Sequence, residues 1–278
     1  MNSRDFDLRT RTYGKPGPEV IVLHGGPAAV GEAEPVARRL ARNFRAFEPF
    51  QRGSSDEPLT VAVHIEDLLR LVQSISDDTR PSVVGESWGA MLALAYASTY
   101  PNSIGALVLI GCGTFDQESR RNMNETIESR LDETSRNKLR SLAADYADPD
   151  ERLHEQHKLT SKAYSYDPIP ADEQLELKEP FDAHAYQETW NDMLRLQEKG
   201  IYPAAFSRIK SPVLMLHGAY DPHPGKMIYA SLKAHIPHLE YHELANCGHS
   251  PWQERQARKD FFMVMTNWLL TNCERPEG

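Results

Sequence analysis

The sequence predicts an α/β fold: a mostly parallel sheet with helices on both faces and an inserted helical lid. Three observations lead there. Short apolar runs alternate along the chain with longer segments of helical periodicity. Those runs are apolar at successive positions rather than at every second one, as in strands covered on both faces. Residues 115–205 interrupt the rhythm with a polar, helix-prone stretch that contains no convincing strand.

The elements follow in order. EVIVLHGG (19–26) reads as a buried strand ending in glycines, and EAEPVARRLAR (32–42) as a helix with Ala33, Val36, Ala37 and Leu40 on one face. FRAFEPF (44–50) is a weaker strand. IEDLLRLVQSI (65–75) places Ile65, Leu68, Leu69, Val72 and Ile75 on one stripe of an amphipathic helix. PSVVGES is a strand, WGAMLALAYAST an apolar helix and GALVLIGCG (105–113) another buried strand. SPVLMLHG (211–218) and HLEYHELA (238–245) complete the sheet. A last helix over about 254–270 turns Phe261, Phe262, Met265, Trp268 and Leu269 inward. The domain division that results is 1–114 and 206–278 for the core and 115–205 for the lid, with DPIPADE (167–173) splitting the lid into two helical parts.

Composition narrows the class. The 278 residues suffice for a large core, and the net charge of −9 argues against nucleic acid as a partner. Residues 115–200 hold 20 acidic and 12 basic residues, so most of that charge lies in the lid. No apolar stretch approaches a membrane span, and the N-terminus has no signal-peptide pattern. Three scattered cysteines, Cys112, Cys247 and Cys273, fit neither a disulfide framework nor a zinc site. A cytoplasmic location is expected, with no cofactor and no metal.

Chemistry concentrates at Gly85-Glu86-Ser87-Trp88-Gly89, a G-x-S-x-G pattern between a strand and a helix. A tight turn there forces the middle residue into a strained conformation. It lifts the Ser87 hydroxyl above the sheet at a helix N-terminus, where developing negative charge is favoured. The alternative is an N-cap serine without chemistry. A serine nucleophile needs a base, and the base an orienting acid. Asp221 follows the strand VLMLHG, and His249 follows the strand of YHELA. Both therefore lie where catalytic groups gather in open α/β sheets, and the chain order is Ser, Asp, His. His217, His223 and His242 are more simply surface or satisfied core histidines. An oxyanion hole needs backbone N–H groups: Trp88, after the nucleophile, and Gly26, in His24-Gly25-Gly26-Pro27, supply them. Cys247 reads as a small buried filler.

The ordered set HGGP, GESWG, DPH and CGH resembles the α/β-hydrolase superfamily over residues 13–272, and more narrowly its prolyl iminopeptidase group. The resemblance implies a triad of Ser87, Asp221 and His249 with Gly26 and Trp88 as oxyanion donors. It also implies a lid carboxylate pair for a substrate amine. Glu125, Glu128, Glu188 and Asp192 are candidates, with nothing to choose between them. The chain departs from that group at Phe50, which stands where the group has an acid before Gln51-Arg52-Gly53, and at Glu86 and Ala28. The segment ahead of HGGP is short for the group, which implies one edge strand fewer. Arg52 pairs structurally or faces the pocket. The expected activity is hydrolysis of a small ester or amide, aminopeptidase-like or carboxylesterase-like, on a small molecule or short peptide. A C–C bond hydrolase on the same triad and a non-catalytic binding protein are the alternatives. Dehalogenase and epoxide hydrolase readings need an acid at position 87.

Overall fold

A computed structural model describes residues 8–27, 29–75, 79–170 and 180–273. Among them, seven strands form one sheet: β1 (Thr10–Tyr13), β2 (Glu19–Leu23), β3 (Arg45–Pro49), β4 (Ser82–Glu86), β5 (Leu107–Ile110), β6 (Val213–Gly218) and β7 (Leu239–Leu244). Their spatial order is β1-β3-β2-β4-β5-β6-β7, with β1 antiparallel to β3 and every other pairing parallel. Four helices pack on it directly after or before these strands: α1 (Glu34–Leu40), α2 (Val61–Ile75), α3 (Trp88–Thr99) and, further on, α8 (Gly225–Lys233); α9 (Arg258–Asn272) closes the chain.

Successive residues of each central strand serve opposite layers. Ile21, Val83, Leu107, Leu109, Val213 and Met215 join α2, α3 and α8, whereas Val20, Val84, Val108, Leu214 and Leu216 join α1 and α9. This is why the strands read as unbroken apolar runs. Helix α3 is buried from Trp88 to Ser98, on every face, so it shows no amphipathic stripe. The predicted faces of α1 and α9 hold, except that Trp268 is only partly buried and donates its indole N–H to Glu240 at 3.0 Å.

Two boundaries differ from the sequence reading. Helix α2 begins four residues early, at Val61. The carboxylate of Asp192 accepts the N–H of Val61 at 3.0 Å, and Glu188 accepts that of Leu59 at 2.9 Å, so a distant helix caps it. Helix α9 begins at Arg258 rather than near 254, because Pro251–Gln253 forms a short 3₁₀ turn first. Strand β1 escaped the sequence reading because its residues Thr-Arg-Thr-Tyr carry no apolar run.

Between β5 and β6 lie α4 (Gln117–Arg130), α5 (Glu133–Asp145), α6 (Pro149–Tyr164) and α7 (Ala183–Glu198). Each begins on an aspartate N-cap: Asp116, Asp132, Asp148 and Asp182 accept first-turn N–H groups. Part of this segment's acidity is thus helix capping. The C-terminal part of DPIPADE lies outside the described residues, and Ser165–Pro170 is non-helical. Asp182 also accepts the backbone N–H of Ser54 at 2.7 Å and its hydroxyl at 2.8 Å, joining α7 to the loop after β3. Asp182→Ala is expected to cost about 2 kcal/mol in urea denaturation, since a cap and an interloop tie are lost together. A loss no larger than that of Asp132→Ala, which breaks only a cap, would remove the second contribution.

Candidate active site

The turn from β4 into α3 sets the site. Ser87 sits at φ 51°, ψ −114°, a conformation of order 1–3 kcal/mol above the ordinary ones. The flanking glycines make it possible. A Cβ on Gly85 would lie 2.3 Å from the carbonyl oxygen of Gly89, and one on Gly89 would lie 2.6 Å from that of His24. The turn is held by the Ser87 N–H, which donates to Ile110 at 2.8 Å.

The loop after β2 is braced against this turn by Gln51. Its side chain donates to the His24 carbonyl at 3.1 Å and accepts the Trp88 indole N–H at 2.7 Å, and its own N–H donates to His24 Nε2 at 3.2 Å. Nε2 therefore accepts and Nδ1 carries the proton, facing Gly25 O at 3.0 Å. Burial keeps this imidazole neutral, pushing its pKa down to about 4. Gly26 (φ 49°) and Trp88 both line the resulting cavity, which also holds Ser87 and His249 and has a volume of about 1630 Å³.

Asp221 lies in the loop after β6 and His249 in the loop after β7, and the fold brings them into contact. His249 Nδ1 donates to Asp221 Oδ2 at 2.7 Å. The carboxylate is fully buried and serves two more imidazoles. His223 Nδ1 donates to Oδ1 at 2.9 Å, and His217 Nε2 lies 3.2 Å from Oδ2. Burial pushes the Asp221 pKa up, but His249, His223 and His217 outweigh it and hold the group well below the usual carboxylate range. On His249 burial acts downward, while Asp221, Glu86 and Glu32 raise it to about 9. His223 stacks on His249 with centroids 4.6 Å apart, and Tyr164 meets His249 edge-on and His223 at a tilt.

The loop bearing His249 is tied to the segment after α6. Glu254, 1% exposed, accepts the N–H groups of Gly248 at 2.9 Å, Tyr166 at 2.8 Å and Asp167 at 2.7 Å. The His249 N–H donates to Tyr164 O at 2.8 Å.

All five sequence-predicted site residues therefore meet at one cavity or on its immediate support. Of the other histidines, His242 is on the surface and His217 is a core residue, but His223 belongs to the site, against expectation. Its place depends on a loop that folds Asp221 back onto the N–H of His223 at 2.9 Å. Glu32, Gln51 and Glu254 were also missed, since their roles appear only through contacts with distant loops. Of the four lid acids, Asp192 and Glu188 cap α2, Glu125 is exposed and Glu128 alone lines the cavity. Arg52 forms a two-pronged pair with Asp67 on α2 at 2.7 and 2.6 Å, a structural role. Phe50 lies under the guanidinium of Arg9 at 4.0 Å and that of Arg11 at 4.8 Å. Cys247 is buried with its thiol pKa pushed up by burial, so it is no ready nucleophile.

The polar atoms of Asp221, His223 and His249 lie within 4.8 Å of one another, close enough to hold a metal ion. Both imidazole Nδ1 atoms are already committed to the carboxylate, so those atoms could bind a metal only by giving up these hydrogen bonds.

Comparison with known proteins agrees with this fold. The profile of the alpha/beta hydrolase fold matches residues 18–254. A 2-hydroxy-6-oxononadienedioate/2-hydroxy-6-oxononatrienedioate hydrolase of Burkholderia vietnamiensis is 25% identical over 269 residues, covering 90% of this chain and 86% of its own. A proline iminopeptidase of Heyndrickxia coagulans is 27% identical over 120 residues, 39% of this chain, so the match spans only 41% of that relative's length. The structure of a thermophilic esterase from Thermogutta terrifontis superposes with a TM-score of 0.62 at 18% identity, covering 96% of this chain and 94% of its own. The chain belongs to the α/β-hydrolase fold family and is a hydrolase. Among the described residues no helix is long and apolar enough to cross a membrane.

Glu254→Ala is expected to destabilise the protein by at least about 3 kcal/mol, because three buried N–H groups lose their acceptor. Chemical denaturation checks this, and a loss below about 1 kcal/mol would mean that water replaces the carboxylate.

Proposed function

We propose that this hydrolase works through Ser87, His249 and Asp221, cleaving a small ester or amide by way of an acyl-enzyme. The observation that supports it is the 2.7 Å bond from His249 to a buried Asp221, on a cavity shared with a serine held at positive φ. The bond to Asp221 fixes the proton on Nδ1, leaving Nε2 as the basic nitrogen. Nε2 takes the Ser87 proton as Oγ attacks the carbonyl carbon. Asp221 then stabilises the imidazolium, and the N–H groups of Trp88 and Gly26 receive the oxyanion. The imidazolium returns its proton to the leaving group, and water cleaves the acyl-enzyme by the same route. Helices α4–α7 act as a lid, since residues of α4, α5, α6 and α7 line the same cavity. The substrate is a small molecule or a short peptide, the location is cytoplasmic, and no cofactor takes part.

A C–C bond hydrolase on the same triad is the second reading, favoured by the relative whose named substrate is an oxononadienedioate. The carboxyl groups of Glu32 and Glu86 beside Ser87 offer no positive charge to pair with a doubly anionic substrate.

Ser87→Ala is expected to lower p-nitrophenyl acetate hydrolysis by roughly 10⁴-fold or more. Equal rates for the variant and the wild type would end the proposal, and a non-catalytic binding protein would remain. The base must be neutral to act, so its raised pKa places the acid limb high. The pH profile of kcat/KM should climb towards pH 9, and Glu86→Gln should move the limb to lower pH by removing one of the charges that raise His249. A wild-type limb near the ordinary histidine value of about 6.5 would contradict this.

A further inference from the structure

We propose that Glu32 and Glu86 form a seat for a small organic ammonium group beside Ser87, contributed by the core and not by the lid. Glu86 immediately precedes Ser87 and is 5% exposed. Its Oε1 accepts the Ser250 hydroxyl at 3.1 Å, while its Oε2 is buried without a hydrogen-bond partner. That oxygen and the nucleophile flank the same residue: a Cβ on Gly25 would lie 2.9 Å from Glu86 Oε2 and 3.3 Å from Ser87 Cβ. Glu32, from the loop between β2 and α1, lines the same cavity.

Among the described residues neither carboxylate meets an Arg or Lys. The charged groups that face Glu86 are Glu32, Asp221 and His249, and of these His249 is already bonded to Asp221. Of the cations on the cavity wall, Arg136 donates to the carbonyls of Glu128 and Leu131, Lys158 pairs with Glu155 at 3.1 Å, and Arg140 lies 4.0 Å from Glu128. A buried carboxylate without a cation is costly, and it eases the cost by holding a proton. Glu86 does so: burial first, then Glu32, push its pKa up to about 8. An ammonium group can take the place of that proton. The rest of the wall suits it, because the partly exposed Trp190, Tyr186, Phe181 and Tyr164 present aromatic surface, which attracts organic cations.

The seat rests on the serine-hydrolase reading only for its place beside the nucleophile, and its binding test needs no turnover. Benzylamine, benzyl alcohol and benzoate, equal in shape and different in charge, are titrated calorimetrically into the intact protein at pH 7. Benzylamine is expected to bind about tenfold or more tightly than benzyl alcohol, and Glu86→Gln and Glu32→Gln should each cut that preference to about threefold or less. Benzylamine should also slow the labelling of Ser87 by a fluorophosphonate, which locates the seat beside the nucleophile. The proposal is overturned if benzylamine binds no better than the alcohol, or if the preference survives both substitutions. Tighter binding of benzoate also overturns it and makes the pair a carboxylic-acid clasp for anions. If Ser87 resists labelling while the ammonium preference holds, the serine mechanism fails and the seat stands.

Discussion

The structure depends on one close approach. Strand β4 must turn into α3 within a residue; the start of α3 comes so near β4 that Gly85 has no room for a side chain, and so near the end of β2 that Gly89 has none. That approach forces Ser87 to positive φ. It also points the start of a helix buried from Trp88 to Ser98 at the hydroxyl, which places the helix dipole where the proposed mechanism develops an oxyanion. In that mechanism a single local constraint presents the nucleophile, supplies one N–H donor and orients the field.

Around that turn the protein builds its supports from polar contacts. Gln51 joins the loop after β2 to the Trp88 indole. Glu254 joins the His249 loop to the chain leaving α6. Asp221 gathers three histidines on one buried carboxylate, with His223 stacked as a backing plate for His249. Buried charges of this kind are held by completing their hydrogen bonds. Glu86 breaks the rule, with one oxygen left unpartnered against the glycine next to the nucleophile. Beside a cavity, such a break leaves a contact that a ligand can complete.

What was legible in the sequence follows from the same physics. Central strands buried on both faces leave uninterrupted apolar runs, so β2, β4, β5 and β6 could be placed to within two or three residues. The candidates Ser87 and Asp221 could be picked out because each lies just after such a run, and His249 because it follows the last strand, β7, all at one edge of the sheet. What was hidden depends on contacts between distant segments. The start of α2 is capped by Asp192 and Glu188, more than 125 residues away. Glu32 faces Glu86 from another loop, and a mixed polar strand such as β1 has no periodic signal to show. His223 looked like an idle neighbour of Asp221 because its stacking partner lies in a different loop.

The central claim is that a strained serine, a tethered imidazole and two backbone donors converge on one carbonyl. A crystal structure of the fluorophosphonate-treated protein tests it most directly. The account predicts phosphorus bonded to Ser87 Oγ, its phosphoryl oxygen within hydrogen-bond reach of the Trp88 and Gly26 N–H groups, and His249 Nε2 against an adduct oxygen. Phosphorus on another residue, or a phosphoryl oxygen turned away from both N–H groups with His249 out of reach, would contradict it.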